Sequence, residues 1–326
     1  MAGLNRNMPG LTLVAHADWS VSDKKRWMAC ARRETGGVFQ AYAPVPVGDC
    51  GNMIWRLKAE VGENGCALVG FDFPIGLPAK YARRAGIRDF QEFLLRWGEG
   101  RWADFGNPAR FKEEICLERP FYPQAPGGSQ RAHLECKLGI EWRALYRECE
   151  LPHEGRRAAC PLFWTLGGQQ VGKAAISGWR DVLIPGLHDA SSGLVIWPFA
   201  GKLDMLFAPG RVIAAETYPA EFYTPLGLSS GRWSKRRQAD RQARSDALLD
   251  WAERHDIELA YDLRQAILAG FGESDSGEDR FDAVTGLFGM LNTLYNGIDE
   301  PEEEEIRSVE GWILGLAWKK QETESL

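Results

Sequence analysis

Acidic residues that could bind a metal ion lie at the ends of several apolar segments. Asp18 ends LTLVAHAD, Asp72 ends CALVGFD and Glu216 ends RVIAAE, while Asp279 and Asp282 open the apolar segment DRFDAVTGLFGM. A carboxylate at the end of a buried strand costs folding free energy unless a positive charge neutralises it. One divalent metal site would neutralise several of these carboxylates together, so all five acids are candidate catalytic residues.

The chemistry that such a site supports is phosphodiester hydrolysis. Two Mg²⁺ or Mn²⁺ ions roughly 4 Å apart can activate a water molecule and stabilise the departing oxygen. These cations prefer oxygen ligands, so no histidine is needed. The five histidines show no metal-ligand spacing, but His16 lies two residues before Asp18. In a strand, that spacing would place His16 on the same sheet face as Asp18.

Each acid also has an ordinary structural explanation. Asp18 is of a type common in turns, and Asp72 precedes Phe-Pro, where it could cap the next helix. Glu216 could pair with an arginine at its strand end. Asp279 stands three residues after Ser276, as in a capping box, and Asp282 could stabilise the first turns of the same helix.

Basic residues offer contacts for substrate phosphates. The segment SKRRQADRQARSDALLDWAERH at 234–255 predicts a basic helix whose cations are opposed by few acids. A second basic group directly follows FDFPIGLP. The candidate substrate-binding residues are Lys80, Arg83, Arg84, Lys173, Arg237 and Arg241.

Lys173 ends GGQQVGK at 167–173, which has the GxxxxGK spacing of a phosphate-binding loop. The next residue is Ala174, which lacks the hydroxyl that would hold Mg²⁺. We expect these glycines to form a tight turn into a helix at 172–188, with Lys173 exposed or directed at a substrate phosphate.

The predicted secondary structure would bring the acids together. Three apolar segments within 11–46 predict an antiparallel meander. Residues 52–62 have helical spacing, and CALVGFD then reads as a strand in the middle of a sheet. The strand ending at Glu216 and the amphipathic helix starting at Asp279 complete the pattern.

Composition limits the classes of protein. The chain has 326 residues, is 44% hydrophobic and carries a net charge of -6, so a polyanionic substrate would have to be met by local basic residues. Its seven cysteines include no CxxC pair, which argues against a disulfide framework or a zinc site and favours reduced cytoplasmic thiols. No apolar run approaches the ~18 residues of a membrane span, and the N-terminal run is too short for a signal peptide.

The order of elements is that of the ribonuclease H fold, and the motifs resemble the domain of unknown function 429 family, a predicted nuclease family. The resemblance rests on five short segments in the family's order, namely Asp18 after the first strand, FDFPIGLP, ETYP, DRFDAV and EGWI at 310–313. It implies an α/β fold with a ribonuclease H-like mixed five-stranded sheet, three antiparallel strands followed by parallel additions, flanked by helices with large helical insertions.

The resemblance also implies roles for individual residues. Asp18 would bridge two ions, Asp72 would lie on the neighbouring strand, and Asp279 with Asp282 would approach from the helix; Asp18, Asp72 and Asp282 are the expected metal ligands. Glu216 would be a ligand or a residue supporting one. The family commonly has glycine after the first acid, so we expect the large ring of Trp19 to narrow the site.

The expected function is therefore a metal-dependent nuclease or phosphodiesterase acting on nucleic acid or a nucleotide-like substrate. Two alternatives remain: a phosphotransferase related to actin and sugar kinases, and a non-catalytic nucleic-acid-binding scaffold. We expect one ribonuclease H-like domain at 1–298 with an insertion at about 77–184. An acidic linker and the EGWI segment, within 299–326, would pack on it.

Overall fold

The computed structural model describes Met8 and residues 10–122, 130–152, 158–165, 171–274 and 276–318. Its strands are β1 (Leu11–Asp18), β2 (Trp27–Arg33), β3 (Phe39–Pro46), β4 (Cys66–Phe71), β5 (Leu194–Ile196), β6 (Val212–Glu216) and β7 (Glu258–Leu259). The α-helices of the described residues are α1 (Met53–Val61), α2 (Ala79–Ala85), α3 (Phe90–Leu95), α4 (Arg131–Leu138), α5 (Val171–Gly178), α6 (Ile184–His188), α7 (Leu203–Leu206), α8 (Gln238–Gln242), α9 (Ser245–Arg254), α10 (Tyr261–Leu268) and α11 (Ser276–Asn296).

Shorter helical turns connect these elements. The 3₁₀ turns are Asp23–Lys25, Gly100–Trp102, Lys112–Glu114, Trp142–Leu145, Glu148–Glu150, Ala190–Ser192 and Pro219–Phe222. Two π-helical turns span Trp179–Leu183, between α5 and α6, and Ile306–Glu310.

The strands form one mixed sheet in the order β5-β6-β4-β1-β2-β3-β7. Strands β1, β2 and β3 make the expected antiparallel meander, and β4, β6 and β5 add to β1 in parallel. The sheet of the described residues has seven strands rather than the expected five. The edge strands β5 and β7, of three and two residues, are short enough to give little sequence signal.

Helices cover both faces of this sheet. One face packs against α1, α3, α5 and α6, and the other packs against α9, α10 and the long helix α11, which crosses β1 and β2. The central strand β1 is buried along its length apart from the half-buried Thr12, because helices lie above and below it. Its continuous apolar sequence follows from this position.

The insertion at about 77–184 shares its core with the sheet. Phe90, Phe105 and Phe163 from the insertion belong to the same buried cluster as Leu13 and Val69 from the central strands. The described part of the insertion is therefore an extension of the helical layer on one sheet face.

The C-terminal segment also packs on this layer. The Glu310 carboxylate accepts hydrogen bonds from the backbone N–H groups of Ala79 (2.8 Å) and Glu148 (3.0 Å). The backbone N–H of Leu314 donates to the Glu216 carbonyl at 2.8 Å. Residues 310–314 thus join the end of β6 to the insertion.

The basic segment at 234–255 is not one helix, as the sequence suggested. It contains α8 and α9, while Lys235, Arg236 and Arg237 precede them in a turn. The turn follows from the side-chain hydrogen bond of Asp240, which accepts from the backbone N–H of Ser234 at 2.7 Å.

Candidate active site

The pairing of β1 with β4 brings the first two predicted acids together. These strands run parallel with Ala17 opposite Phe71, so Asp18 and Asp72 follow at the same edge of the sheet. The backbone N–H of Trp19 donates to Asp72 Oδ1 at 2.6 Å. The two side chains are close enough for each to shift the pKa of the other.

Helix α11 brings the third acid to the same edge. Asp282 lies in its second turn, with only 5% of its surface exposed, and its charge acts on both Asp18 and Asp72. Its Oδ2 forms an ion pair with the Lys235 ammonium, and the nearby Tyr223 side chain lowers its pKa. Its Oδ1 is buried and has no hydrogen-bond partner within the described chain.

Burial and mutual repulsion disfavour the charged forms of these carboxylates. Burial raises the pKa of Asp18 well above its ordinary value, and the charges of Asp72 and Asp282 raise it further. Burial raises the pKa of Asp72 from 3.8 to about 7, although the Trp19 N–H opposes this shift. Burial also raises the pKa of Asp282, against the opposing effect of Lys235.

Among the described residues, the one ion pair to any of these three aspartates is that of Lys235 with Asp282. One ammonium cannot neutralise three buried carboxylates, so an additional cation or proton is needed to balance their charge.

Asp279 lies one turn before Asp282, at the partly exposed rim of the group. Burial raises its pKa to about 6, while the charge of Lys25 lowers it. The described contacts do not decide whether it binds a ligand, so its proposed catalytic role stays a prediction.

Glu216 does not join the aspartates, contrary to its proposed catalytic role. Because side chains alternate along a strand, that of Glu216 lies on the same sheet face as those of Val212 and Ala214. This is the face opposite α11. There both its oxygens accept hydrogen bonds from the Arg147 guanidinium at 2.7 Å, and Oε2 also accepts from the Ile75 N–H at 2.6 Å. It is an internal ion-pair partner at its strand end.

Trp19 does not narrow the site. Its side chain is 6% exposed and turns away from Asp18, because successive strand residues point to opposite faces. The ring packs edge-on against Phe71 and Phe73, and its Nε1 donates to the Ser177 hydroxyl at 3.0 Å. The contact of Trp19 with the aspartates is the hydrogen bond from its backbone N–H to Asp72.

His16 lies on the face of Asp18, as expected, but it belongs to the core. Its ring fits against Gly286 of α11, where a Cβ atom would come within 2.3 Å of it. Burial lowers its pKa to about 3, which keeps the ring neutral. In the described residues, neither ring nitrogen has a well-formed hydrogen bond.

The basic residues after FDFPIGLP lie apart from the aspartates. Arg83 forms an ion pair with Glu305, and the Arg84 guanidinium lies against the backbone of Gly139. Lys80 and Arg83 line a cavity of about 510 Å³ near Glu310. Arg83 and Arg84 are both exposed, and substrate binding by Lys80, Arg83 and Arg84 stays a prediction.

Residues 167–170, the first four of the GGQQVGK segment, lie outside the described residues. Lys173 lies in the first turn of α5, a helix that packs on the sheet face opposite α11. The expected role of Lys173 in substrate binding stays a prediction.

Arg241 is not a substrate contact but a structural support. It is 3% exposed and donates to the carbonyls of Gly270 (2.8 Å), Gly272 (2.6 Å) and Lys235 (2.5 Å). Arg237, by contrast, has a side chain 66% exposed, with an ion pair to Asp240 at 2.7 Å.

We expect Arg241→Gln to lower the free energy of unfolding by about 2 to 3 kcal/mol, because buried carbonyls lose a charged donor. Arg237→Gln should change it by less than about 0.5 kcal/mol, since an exposed ion pair contributes little. Urea unfolding of both variants measures the difference. Equal effects would contradict the supporting role of Arg241.

Sequence reasoning missed two residues of the site. Tyr223 follows the 3₁₀ turn Pro219–Phe222 and reaches Asp282, without any motif that marks it. Lys235 lies in the basic segment, but the sequence pointed to phosphate contact rather than to an ion pair with Asp282. Trp233 packs its ring on Tyr223 (5.2 Å between centroids) and Phe281 (5.8 Å), which places this segment over the start of α11.

No protein-family model matches the chain, and the searches found neither a similar curated protein nor a similar solved structure. In the part of the chain that the structure describes, no helix has the length and apolar character needed to cross a membrane. The assignment of function therefore depends on the geometry and chemistry of the site.

The aspartates suit a hard divalent cation by their donor chemistry. They supply carboxylate oxygens, and Asp282 Oδ1 is a buried acceptor with no partner among the described residues. Their arrangement is held by the Trp19 N–H, which donates to Asp72, and by Lys235, which pairs with Asp282. Over the described ranges, no three Asp, Glu, His or Cys side chains are already arranged as a set of metal ligands.

Proposed function

We propose that this chain is a Mg²⁺- or Mn²⁺-dependent nuclease or phosphodiesterase whose metal ligands are Asp18, Asp72 and Asp282. The observation that carries the proposal is the convergence of three buried aspartates at the ends of β1 and β4 and on α11, of which only Asp282 has an ion pair, with Lys235, among the described residues. A bound divalent cation would balance the remaining charge, polarise a phosphoryl oxygen and activate water.

The surrounding residues hold these ligands in place. The Trp19 N–H fixes the Asp72 carboxylate, and its indole anchors that backbone in the core. Lys235 orients Asp282 through its ion pair. Since α11 and both strands are buried, ligand positions are set by packed elements rather than by exposed loops.

Phosphate as the substrate group is supported by the basic turn beside the aspartates. Arg236 forms a 3.8 Å ion pair with Glu278 of α11, and its side chain is 83% exposed. Arg232 and Arg237 are also exposed in the same segment. Their charges offer local attraction for a polyanion, despite the net charge of -6 of the whole chain.

A ribonuclease H-like fold, and the resemblance to the domain of unknown function 429 family, remain part of this proposal. In support, an antiparallel meander is followed by strands parallel to β1, and acids follow β1 and β4 at one sheet edge. A late helix supplies the third acid, as the resemblance implies.

Cleavage of labelled single- and double-stranded DNA and RNA, with Mg²⁺, Mn²⁺ or chelator, tests the function. We expect cleavage with either metal, loss of cleavage with chelator, and loss in Asp18→Asn. Asp250→Asn, which changes an exposed aspartate of α9, is the matched control and should retain activity.

Chelator-resistant cleavage by the wild type would contradict the metal-dependent mechanism. Absence of cleavage with both metals on every substrate, together with no metal binding, would favour the scaffold alternative. Stabilisation by a nucleotide on heating, without cleavage, would favour the phosphotransferase alternative.

A further inference from the structure

Lys235 places a fixed positive charge directly on one metal-ligand candidate. Its Nζ contacts Asp282 Oδ2 and lies 3.3 Å from Glu278 Oε1, one turn earlier on α11. The ammonium therefore occupies the position between two carboxylates where a cation is most favourable.

The two oxygens of Asp282 have different surroundings. Lys235 contacts Oδ2, whereas Oδ1 is buried without a partner in the described chain. The Asp282 side chain is only 6% exposed, so it has little room to leave this position. One carboxylate thus presents one oxygen to the ammonium, while the other oxygen is a buried acceptor that the described chain does not satisfy.

Contacts of neighbouring residues fix the position of the Lys235 backbone. The buried Arg241 holds the carbonyl of Lys235 at 2.5 Å, and Arg236 next to it forms an ion pair with Glu278. On the preceding side, Trp233 packs on Phe281 of α11. The backbone of Lys235 is therefore positioned by its neighbours, and its ammonium is held by the ion pairs with Asp282 and Glu278.

We propose that Lys235 takes the place of a second divalent cation, so that the chain binds one metal ion at Asp18, Asp72 and Asp282 Oδ1. This inference rests on the proposed function and replaces the two ions that the family resemblance implies. A second divalent ion on Asp282 Oδ2 would meet the ammonium at contact distance, and the repulsion between two cations disfavours it. Lys235 would also supply positive charge to a substrate phosphate bound at the metal.

The number of Mn²⁺ ions bound by the full chain tests the inference, measured by titration with detection of free Mn²⁺ by electron paramagnetic resonance. We expect one equivalent for the wild type and two for Lys235→Met, because removal of the ammonium frees Asp282 Oδ2. Arg236→Met, which also removes one positive charge beside Glu278, is the matched control and should bind one. Lys235→Gln is the second variant, should Lys235→Met not fold.

The outcomes separate the two proposals. Two equivalents in the wild type, or one in both Lys235 variants, would overturn the role of Lys235 while leaving a metal site. No Mn²⁺ binding by the wild type or any variant would overturn the metal-dependent function and this inference with it. One equivalent that becomes two only in the Lys235 variants would support both.

Discussion

Asp72→Asn should stabilise the protein in chelator at pH 8 and abolish its metal-dependent cleavage. Loss of a residue that merely supports a metal ligand lowers activity by ~10–100-fold, so we expect loss of a direct ligand to exceed ~1000-fold. The stabilisation follows because the buried Asp72 carboxylate repels Asp282 and has no cation of its own. Thermal unfolding and the cleavage assay measure the two effects.

The pH dependence of this stabilisation has a definite sign. The pKa of Asp72 is raised from 3.8 to about 7 in the folded protein. Between these values the unfolded chain loses the proton while the folded chain keeps it, so stability falls as the pH rises. The loss is up to about 1.4 kcal/mol per pH unit and is complete above pH 7. Asp72→Asn should lack this loss and match the wild type at pH 4.

The exposed aspartate variant Asp250→Asn is the control, and its pH profile should follow that of the wild type. A lower melting temperature for Asp72→Asn than for wild type at pH 8 would show that the carboxylate stabilises the fold. That result would contradict the interpretation of Asp72 as an uncompensated metal ligand.

Arg147→Met should lower the free energy of unfolding by about 3 to 5 kcal/mol, because it leaves buried carboxylates without their cation. Arg147 is 1% exposed and binds Glu216 through two hydrogen bonds and Glu150 through its Nε at 3.0 Å. It also donates to the Glu310 carbonyl at 3.2 Å. Urea unfolding measures the loss.

Two further variants test the cause of this loss. Arg83→Met breaks the exposed ion pair with Glu305 and should cost less than about 1 kcal/mol. Arg147→Met combined with Glu216→Gln should be more stable than Arg147→Met alone, since the unpaired charge is then removed. If the double variant is the less stable of the two, burial of an unpaired charge is not the cause.

The sequence predicted the convergence of Asp18, Asp72 and Asp282 because strong local signals marked their elements. Two long apolar strands end at Asp18 and Asp72, and parallel strands that neighbour each other end at one sheet edge. The α/β class and the antiparallel meander were predicted correctly for the same reason. Helix α11 is long enough for its periodicity to be unmistakable.

Glu216 was misplaced because its side depends on register, which the sequence does not state. Val212 and Ala214 face away from α11, so Glu216 does also, while Thr217 turns toward it. The sequence correctly placed an acid at the end of this strand. A shift of one residue in register decides on which sheet face its side chain lies.

The basic segment differs from the predicted continuous helix because tertiary contacts outweigh its helix propensity. Asp240 and Arg241 bind backbone groups of residues 234–235 and so hold a turn where continuous helix was expected. The contact of Lys235 with Asp282 joins residues 47 apart in the chain. No local pattern encodes such a pair, and only the packing of α11 reveals it.

The contacts of residues 310–314 have a consequence for the timing of folding during synthesis. Arg147 and Glu216 need Glu310 and Leu314 to complete their buried surroundings, and these four residues are spread over more than half of the chain. A growing polypeptide that has already emerged through β6 still lacks the last two. The backbone hydrogen bonds that complete the surroundings of the Arg147–Glu216 ion pair can therefore form only after residues 310–314 have left the ribosome.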